Sequence, residues 1–342
     1  MKMRRFISVL MLVVIVLAQA ALFNGCGKDT KPTGGTDAGT TDAGATDETA
    51  SVSKYKLKSD GVHTLALMSD TQHYADRNPQ VFFDMTKFLT DNKEKYAIEY
   101  VIHAGDLVQH ATDDAEWKVA REAMSALDGI IPYGVLAGNH DQANGTERFT
   151  AYASYFGDSS YKPFDYFGES YHDCRAMYQL IKIGSREFVV VFIGDDPDIG
   201  CIDFANAVFE KYRDRVGILC THNYLDEDLT RNDMGEYMCE KIVAENENVY
   251  MVLCGHESAA GIRTSDFDDD GDGKTDRTVC QIIANYQDAN CDGSMMFLQI
   301  DENAGTLTGI SYSPVLDTYA GYKDKIDDAF QVPIPWLSIG VK

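Results

Sequence analysis

Five short polar clusters hold most of the side chains in this sequence whose types and spacing suit chemistry. They are Ser69-Asp70-Thr71-Gln72-His73, His103-Ala104-Gly105-Asp106, Gly138-Asn139-His140-Asp141, Thr221-His222-Asn223 and Gly255-His256. Together they offer carboxylates, imidazoles and amide oxygens, the donor set for divalent metals of intermediate hardness such as Mn, Fe or Zn. Glycines at 105, 138 and 255 allow sharp turns at three of them. Any one of these residues alone reads as an ordinary loop polar group. Five clusters in series, each just past a strand-like run, do not.

The elements that must position them follow from periodicity. His63–Ser69, Ile98–Ala104, Tyr133–Ala137, Val216–Thr221 and Val249–Cys254 read as strands, one before each cluster. Pro79–Lys95 has helical spacing, with Val81, Phe82, Met85, Phe88 and Leu89 on one side. Asp114–Leu127, capped by Asp113 or Thr112, Phe204–Arg213 and Asp233–Asn246 read as further helices. Ala176–Ile183 and Glu187–Ile193 form a hairpin across Gly184-Ser185. Val279–Ala284, Ser294–Ile300 and Thr306–Tyr312 are late strands. The pattern is α/β early and strand-rich late. In α/β sheets, ligands bind outside the carboxyl ends of the strands, so the five clusters are expected to share one crevice.

The order Asp70-x-Gln72, Gly105-Asp106, Gly138-Asn139-His140-Asp141, His222 and Gly255-His256 resembles the calcineurin-like metallophosphoesterases. That family's pattern is D-x-H, GD, GNH-[DE], a lone His and GHxH, each after a strand. The resemblance covers residues 62 to about 300. It implies a four-layer α/β sandwich of two mixed β-sheets flanked by helices. It also implies two divalent metal ions (Mn, Fe, Zn or Mg) and hydrolysis of a phosphate mono- or diester by a metal-activated hydroxide. By the resemblance, Asp106 is the bridging carboxylate, Asp70 and Gln72 belong to the first metal, and Asn139, His222 and His256 to the second. His140 is similar to the catalytic histidine that meets the substrate phosphate, and Asp141 to the residue that orients its ring.

Two positions depart from that pattern, both at the first metal. Gln72 stands where D-x-H has its His, and Ser258 where GHxH has its second. An amide oxygen ligates more weakly than imidazole, so the first site is the poorer. His73 and His110 are weighed as substitutes against plain loop residues, and Glu257, one residue off register, as a supporting group. Arg148, Arg175 and Arg263 follow site motifs and are candidates to meet phosphate charge, against surface or ion-pair roles. Tyr286-Gln287-Asp288 follows a late strand and is a weak candidate to line the crevice. Separately, Asp268, Asp270, Asp272 and Asp276 have the spacing of a calcium loop, without the Glu of an EF-hand, since Val279 stands at position 12. The other reading of that run is a solvated acidic turn.

The chain has 342 residues, 44% hydrophobic and 25% charged, with 30 Lys+Arg against 54 Asp+Glu and a formal charge of −24. These values exclude a chain disordered throughout, a coiled coil and a multi-span membrane protein. So negative a chain repels polyanions, and no nucleic-acid-binding surface is expected. Residues 1–25 read as a lipoprotein-type signal peptide: Lys2, Arg4 and Arg5, an apolar run over 6–17, then Gly25-Cys26. Phe23 stands where a lipobox usually has Leu. Cys26 is the expected lipidation site, with plain secretion and an uncleaved anchor as alternatives. Residues 26–54, rich in Gly, Thr, Asp and Ala, read as a disordered tether reaching roughly 30 Å. Residues 55–342 carry no second polar linker and are expected to form one domain.

Beyond Cys26 the cysteines are 174, 201, 220, 239, 254, 280 and 291. An odd number cannot all pair within the chain, and one or two disulfides are weighed against buried thiols. Three functions are compared. A phosphoesterase, exported and lipid-anchored outside the bacterial cytoplasmic membrane, accounts for the clusters and for His140. A degenerate, non-catalytic lipoprotein binding a phosphate compound or envelope component accounts for the weakened first site. A structural adhesion lipoprotein accounts for the tether but not for the five strand-end clusters.

Overall fold

In the computed structural model, which describes residues 55–145, 148–287, 293–319 and 329–336, the apolar runs become strands of two sheets. Strand β1 (Val62–Met68) leads through α1 (Gln72–Arg77) and α2 (Pro79–Asp91) to β2 (Ile98–His103). Next come α3 (Asp114–Ser125), β3 (Tyr133–Val135), α4 (Thr150–Phe156), α5 (Asp158–Tyr161) and β4 (Phe167–Tyr171). The hairpin β5 (Ala176–Ile183) and β6 (Arg186–Ile193) precedes α6 (Ile199–Lys211), β7 (Val216–Thr221), α7 (Asp233–Met238) and β8 (Val249–Cys254). The chain continues through β9 (Ala260–Phe267), β10 (Arg277–Ala284), β11 (Met295–Asp301), β12 (Thr306–Ser313), β13 (Thr318–Tyr319) and β14 (Ala329–Pro333).

Both sheets are mixed. The first runs β13-β12-β11-β1-β2-β3, with β14 on β12. Its β1, β2 and β3 are parallel, while β11 lies antiparallel to β1. The second runs β4-β5-β6-β7-β8-β10-β9, parallel from β6 to β10 and antiparallel at both ends. The alternation of β6 shows how the layers form. Val190 and Phe192 face the core shared with the first sheet, and Val189, Val191 and Ile193 face the core under α6. Phe192 lies against Gly134 of β3, where any Cβ would overlap its ring. Burying each such side chain contributes roughly 1.5–3 kcal/mol. The two sheets and their outer helices form the α/β sandwich that the resemblance implied.

The strands before the five clusters lie where periodicity puts them, with ends shifted by a residue or two. Three differences matter. The Gln72 cluster is not loop but the start of α1, too short and polar for an apolar period to reveal. Arg263 lies in β9, an edge strand whose outer residues are polar, which hides it from hydrophobic patterning. The expected helix over 233–246 is α7 followed by a π-helical turn over Cys239–Val243. Six cysteines, 174, 201, 220, 239, 254 and 280, are buried free thiols, so none of them forms a disulfide; Cys291 lies outside the described residues. No helix among the described residues is long and apolar enough to cross a membrane. The leader and tether readings, residues 1–54, also lie outside them.

Candidate metal centre

Parallel strands deliver their carboxyl ends to one edge, and here five strands from two sheets do so side by side. β1 carries Asp70, β2 carries Asp106, β3 leads to Asn139 and His140, β7 ends before His222, and β8 before His256. Each sheet turns its last residues toward the other. Asp70 and Asp106 both have φ 55°, and His256 has φ 72°. Left-handed backbone costs a non-glycine residue of order 1 kcal/mol or more and clusters at functional sites. Gly105 (φ 97°) must be glycine, since a Cβ would lie 2.7 Å from His222 Nδ1 and 2.8 Å from Gly138 N.

Asp106 is the hub. Its Oδ1 accepts the His140 backbone N–H at 2.9 Å, its Oδ2 accepts Gln72 Nε2 at 3.2 Å, and His222 Nε2 lies 3.4 Å from Oδ2. Acceptor atoms of Asp70, Asp106 and His222 lie within 4.8 Å of one another, and all three residues are buried. The His222 Nδ1–H donates to the Ala104 carbonyl at 2.8 Å. That bond turns Nε2 toward Asn139 Oδ1 at 3.0 Å and toward His256 Nδ1 at 3.2 Å. His256 Nδ1 is itself 2.9 Å from Asn139 Oδ1. Lone pairs therefore point at lone pairs unless protons or cations sit between them. Gln72 Oε1, buried, has no hydrogen-bond partner. An orphaned buried acceptor beside a convergence of carboxylate, amide and imidazole donors is what a divalent cation site presents.

The charges show the same tension. Burial, with the charge of Asp106 adding to it, pushes the Asp70 carboxyl up to about 7. Burial also works against a charged His222, yet the Asp106 carboxylate prevails and holds its pKa up at about 10. Asp106 is raised by burial but ends below the usual carboxylate range through His222 and the His140 N–H. Burial and the neighbouring His222 lower His256. Without cations the cluster is thus held by extra protons, and a cation would displace them.

The model of the calcineurin-like phosphoesterases matches residues 63–259, which contain all five clusters. This chain belongs to that family. It is 38% identical over 278 residues to the uncharacterized protein YvnB of Bacillus subtilis (strain 168), a match over 77% of this chain and 21% of that protein. The chain thus spans about a fifth of the length of that relative. Its fold is similar to that of a purple acid phosphatase from yellow lupin (Lupinus luteus) seeds. The TM-score is 0.51 at 13% identity, over 83% of this chain and 56% of the other.

Within this calcineurin-like phosphoesterase, Asp70, Gln72, Asp106, Asn139, His222 and His256 are all brought to the one centre. His140 stands beside it. Its ring Nδ1–H donates to the Gln109 carbonyl at 3.2 Å, which leaves Nε2 to meet a substrate. Asp141 departs from expectation, because it does not orient that ring. Its Oδ1 accepts the Leu107 and Val108 N–H groups at 2.9 and 3.0 Å, and its Oδ2 the Gly138 N–H at 2.8 Å. It is buried beneath both loops, so it ties the Asp106 turn to the Asn139 turn instead. His110, weighed as a substitute ligand, is committed to Glu116 Oε1 at 2.7 Å. Glu257 Oε1 lies 3.6 Å from His256 Nε2, the ring nitrogen turned away from Asn139.

One positioning residue, Asn285, escaped sequence reasoning, and Ser69, named there only as a cluster member, is a second. Asn285 Nδ2 donates to the His256 carbonyl at 2.9 Å, while the His256 N–H donates to Asp70 Oδ2 at 3.1 Å. The strained His256 backbone is therefore held from both sides. Ser69 bonds Asp70 Oδ2 and the Ala284 carbonyl, tying the end of β1 to the end of β10. A polar residue directly after an apolar strand was the available signal for Asn285. Of the three residues that follow it, Tyr286 is buried against Ser311, and Asp288 lies outside the described residues.

The acidic run forms the turn from β9 to β10. Asp268, Asp270 and Asp276 come within 4.8 Å of one another there, all exposed. Asp272, expected as the fourth oxygen, instead accepts the Lys274 backbone N–H at 2.9 Å and pairs with Lys274 Nζ at 2.6 Å.

Proposed function

We propose that this protein hydrolyses a phosphate mono- or diester at the strand-end centre. The observation that carries the reading is the convergence on Asp106 of Asp70, Gln72, His222 and the His140 backbone, beside Asn139 and His256. Asp70, Gln72 and Asp106 would hold one divalent ion, and Asp106, Asn139, His222 and His256 a second; Mn, Fe, Zn and Mg suit these donors. Such ions, when bound, lower the pKa of water toward neutrality and offset charge on phosphoryl oxygens. The chain's own residues do the rest. The His140 backbone is fixed by Asp106 and its ring by the Gln109 carbonyl, so Nε2 is set to give a proton to the leaving oxygen or to meet charge on the phosphoryl group. Asp141 keeps the two loops that carry Asp106 and Asn139 in register.

The proposed setting is the outer side of a bacterial membrane, with the domain exported and lipid-anchored at Cys26. The basic start, the apolar run and Gly25-Cys26 support this reading. Cys26→Ala is expected to release the protein from the membrane fraction. The activity is tested by metal analysis of protein purified without chelator, alongside 4-nitrophenyl phosphate and bis(4-nitrophenyl) phosphate. Turnover that follows metal content is expected. Full metal occupancy without turnover on either ester class would favour the binding protein, the reading that Gln72 and Ser258 at the first site suggest.

A further inference from the structure

A cavity of about 470 Å³ opens beside the loop that carries Asn139 and His140, lined by Arg148, Phe149, Thr150, His172 and Arg175. Its place is fixed by hydrogen bonds that lead back to the centre. The Ala143 N–H donates to the Arg148 carbonyl at 2.9 Å. Gln142 Nε2 donates to the Gly138 carbonyl and to the Asp195 carbonyl, both at 3.2 Å. The cavity thus lies along the same loop as His140, on the side where β6 runs out into Asp195 and Asp196.

Among the described residues no acidic side chain lines it; Glu147, between Gly145 and Arg148, lies outside them. Two acids pair with its arginines. Asp196 Oδ2 pairs with Arg148 Nη2 at 2.5 Å, and Asp198 Oδ2 with Arg175 Nη1 at 2.6 Å. Arg175 Nη2 also reaches the Asp196 carbonyl at 2.9 Å. Both guanidinium groups lie by the Phe149 ring, at 5.2 and 4.9 Å from its centroid. These contacts immobilise the two cations without exhausting them. Arg148 has five N–H donors and one acceptor partner among the described residues, and the Nε of each arginine is buried without a partner. His172 also lines it, its backbone at φ 47°, in a turn that continues left-handed through Asp173 (53°) and Cys174 (66°). Preorganised guanidinium groups beside an imidazole recognise phosphate or carboxylate.

We infer that this cavity is a second anion subsite, which selects phosphoesters bearing a further phosphate or carboxylate away from the scissile group. This rests on the phosphoesterase reading for the first group and deepens it by naming the substrate class. One substrate would then be held at both ends: its scissile phosphate by His140 and the centre, and its other charge by Arg175 and by Arg148, whose carbonyl is tied to Ala143.

The experiment compares alkane-diol bisphosphates of increasing chain length with alkyl monophosphates of the same length. Binding is read by calorimetry on the metal-loaded protein, and phosphate release is followed in parallel. In the parent, one range of lengths is expected to bind at least about tenfold more tightly than its monophosphate, a gain of about 1.4 kcal/mol. Arg148→Gln combined with Arg175→Gln is expected to bring that ratio within about twofold of unity while monophosphate binding and turnover hold. Arg148→Gln alone, which leaves the Arg175–Asp198 pair intact, should lose part of the gain. It serves as the check if the double variant melts early. A bisphosphate preference that survives both variants, or none at any length, overturns the subsite. Monophosphates that neither bind nor turn over would instead count against the phosphoesterase reading, and arginine-dependent bisphosphate binding would then still support the cavity.

Discussion

Two regions of this protein bring carboxylates together, and they do so in opposite ways. At the strand ends, Asp70, Asp106 and His222 come from segments up to 152 positions apart and are buried. Their acceptor atoms face one another. In the turn from β9 to β10, Asp268, Asp270 and Asp276 lie within nine consecutive residues and are exposed. There the carboxylates serve their own loop. Asp268 accepts the N–H groups of Gly271, Asp272 and Gly273 at 2.7, 3.1 and 2.8 Å, and Asp276 those of Asp269 and Asp270 at 2.8 and 3.2 Å. Clustered charge alone therefore does not require a cation. Removal from water, together with lone pairs left without donors, is what makes a cation or a proton necessary.

The strongest test of this contrast is Asp106→Asn. It should remove bound metal and lower kcat/KM by at least about 10³-fold, because the hub charge and the cations it holds are lost together. Metal analysis and steady-state kinetics read the two effects separately. His140→Ala should instead keep full metal content and lose about 10²–10⁴ in rate, or about 3–5 kcal/mol. Metal loss in that variant would move His140 from the substrate into the cluster.

Asn285→Ala probes how far the buried centre depends on its surroundings. Freeing the His256 carbonyl should weaken metal affinity by about 10–100-fold, the usual scale for groups that orient ligands. Titration with a competing chelator measures it, and an unchanged affinity would mean that the bond from Asp70 holds His256 without help.

The centre should also make stability depend on pH in the metal-free protein. Asp70 and His222 both have folded-state pKa values raised above their ordinary ones. The native state then binds more protons than the unfolded chain, so stability falls as pH rises, through about 7 for Asp70 and toward about 10 for His222. Asp141, which burial raises to about 8, adds to the fall, whereas His103 and His256, which burial lowers, oppose it below about pH 6.5 and Asp106 only at acid pH. The melting temperature of chelator-treated protein should therefore drop from pH 5 to pH 8, and divalent metal should restore more at the higher pH. A melting curve that is flat over this range, with and without metal, would remove the electrostatic half of the contrast.

The smallest effect belongs to the turn. Asp268→Asn with Asp270→Asn should lower the melting temperature by the same amount in chelator and in millimolar calcium, to within about 1 °C, since the lost bonds are to the loop's own amides. A gap between parent and variant that widens with calcium would place the turn beside the strand ends as a cation site.

The amino-acid order by itself determined the strands before the five clusters, because apolar runs bounded by glycine and polar residues have few other structures open to them. It determined the family as well, since Gly105-Asp106 and Gly138-Asn139-His140-Asp141 each follow a strand and stand in the right sequence. What it left open was which partner each polar atom finds. The resemblance implied that Asp141 serves His140, yet burial beneath two loops turned its carboxylate to three backbone N–H groups. The same spacing that suggested a fourth calcium oxygen at Asp272 placed it beside Lys274. Asn285 and His256 are 29 positions apart, and only the antiparallel and parallel pairings around β10 bring them together. Arg148 and Arg175 became one cavity only when α4 and the turn before β5 were folded against the end of β6. Strand formation depends on local pattern, whereas the partner of a buried polar group is set by whichever donors the packed core leaves within reach.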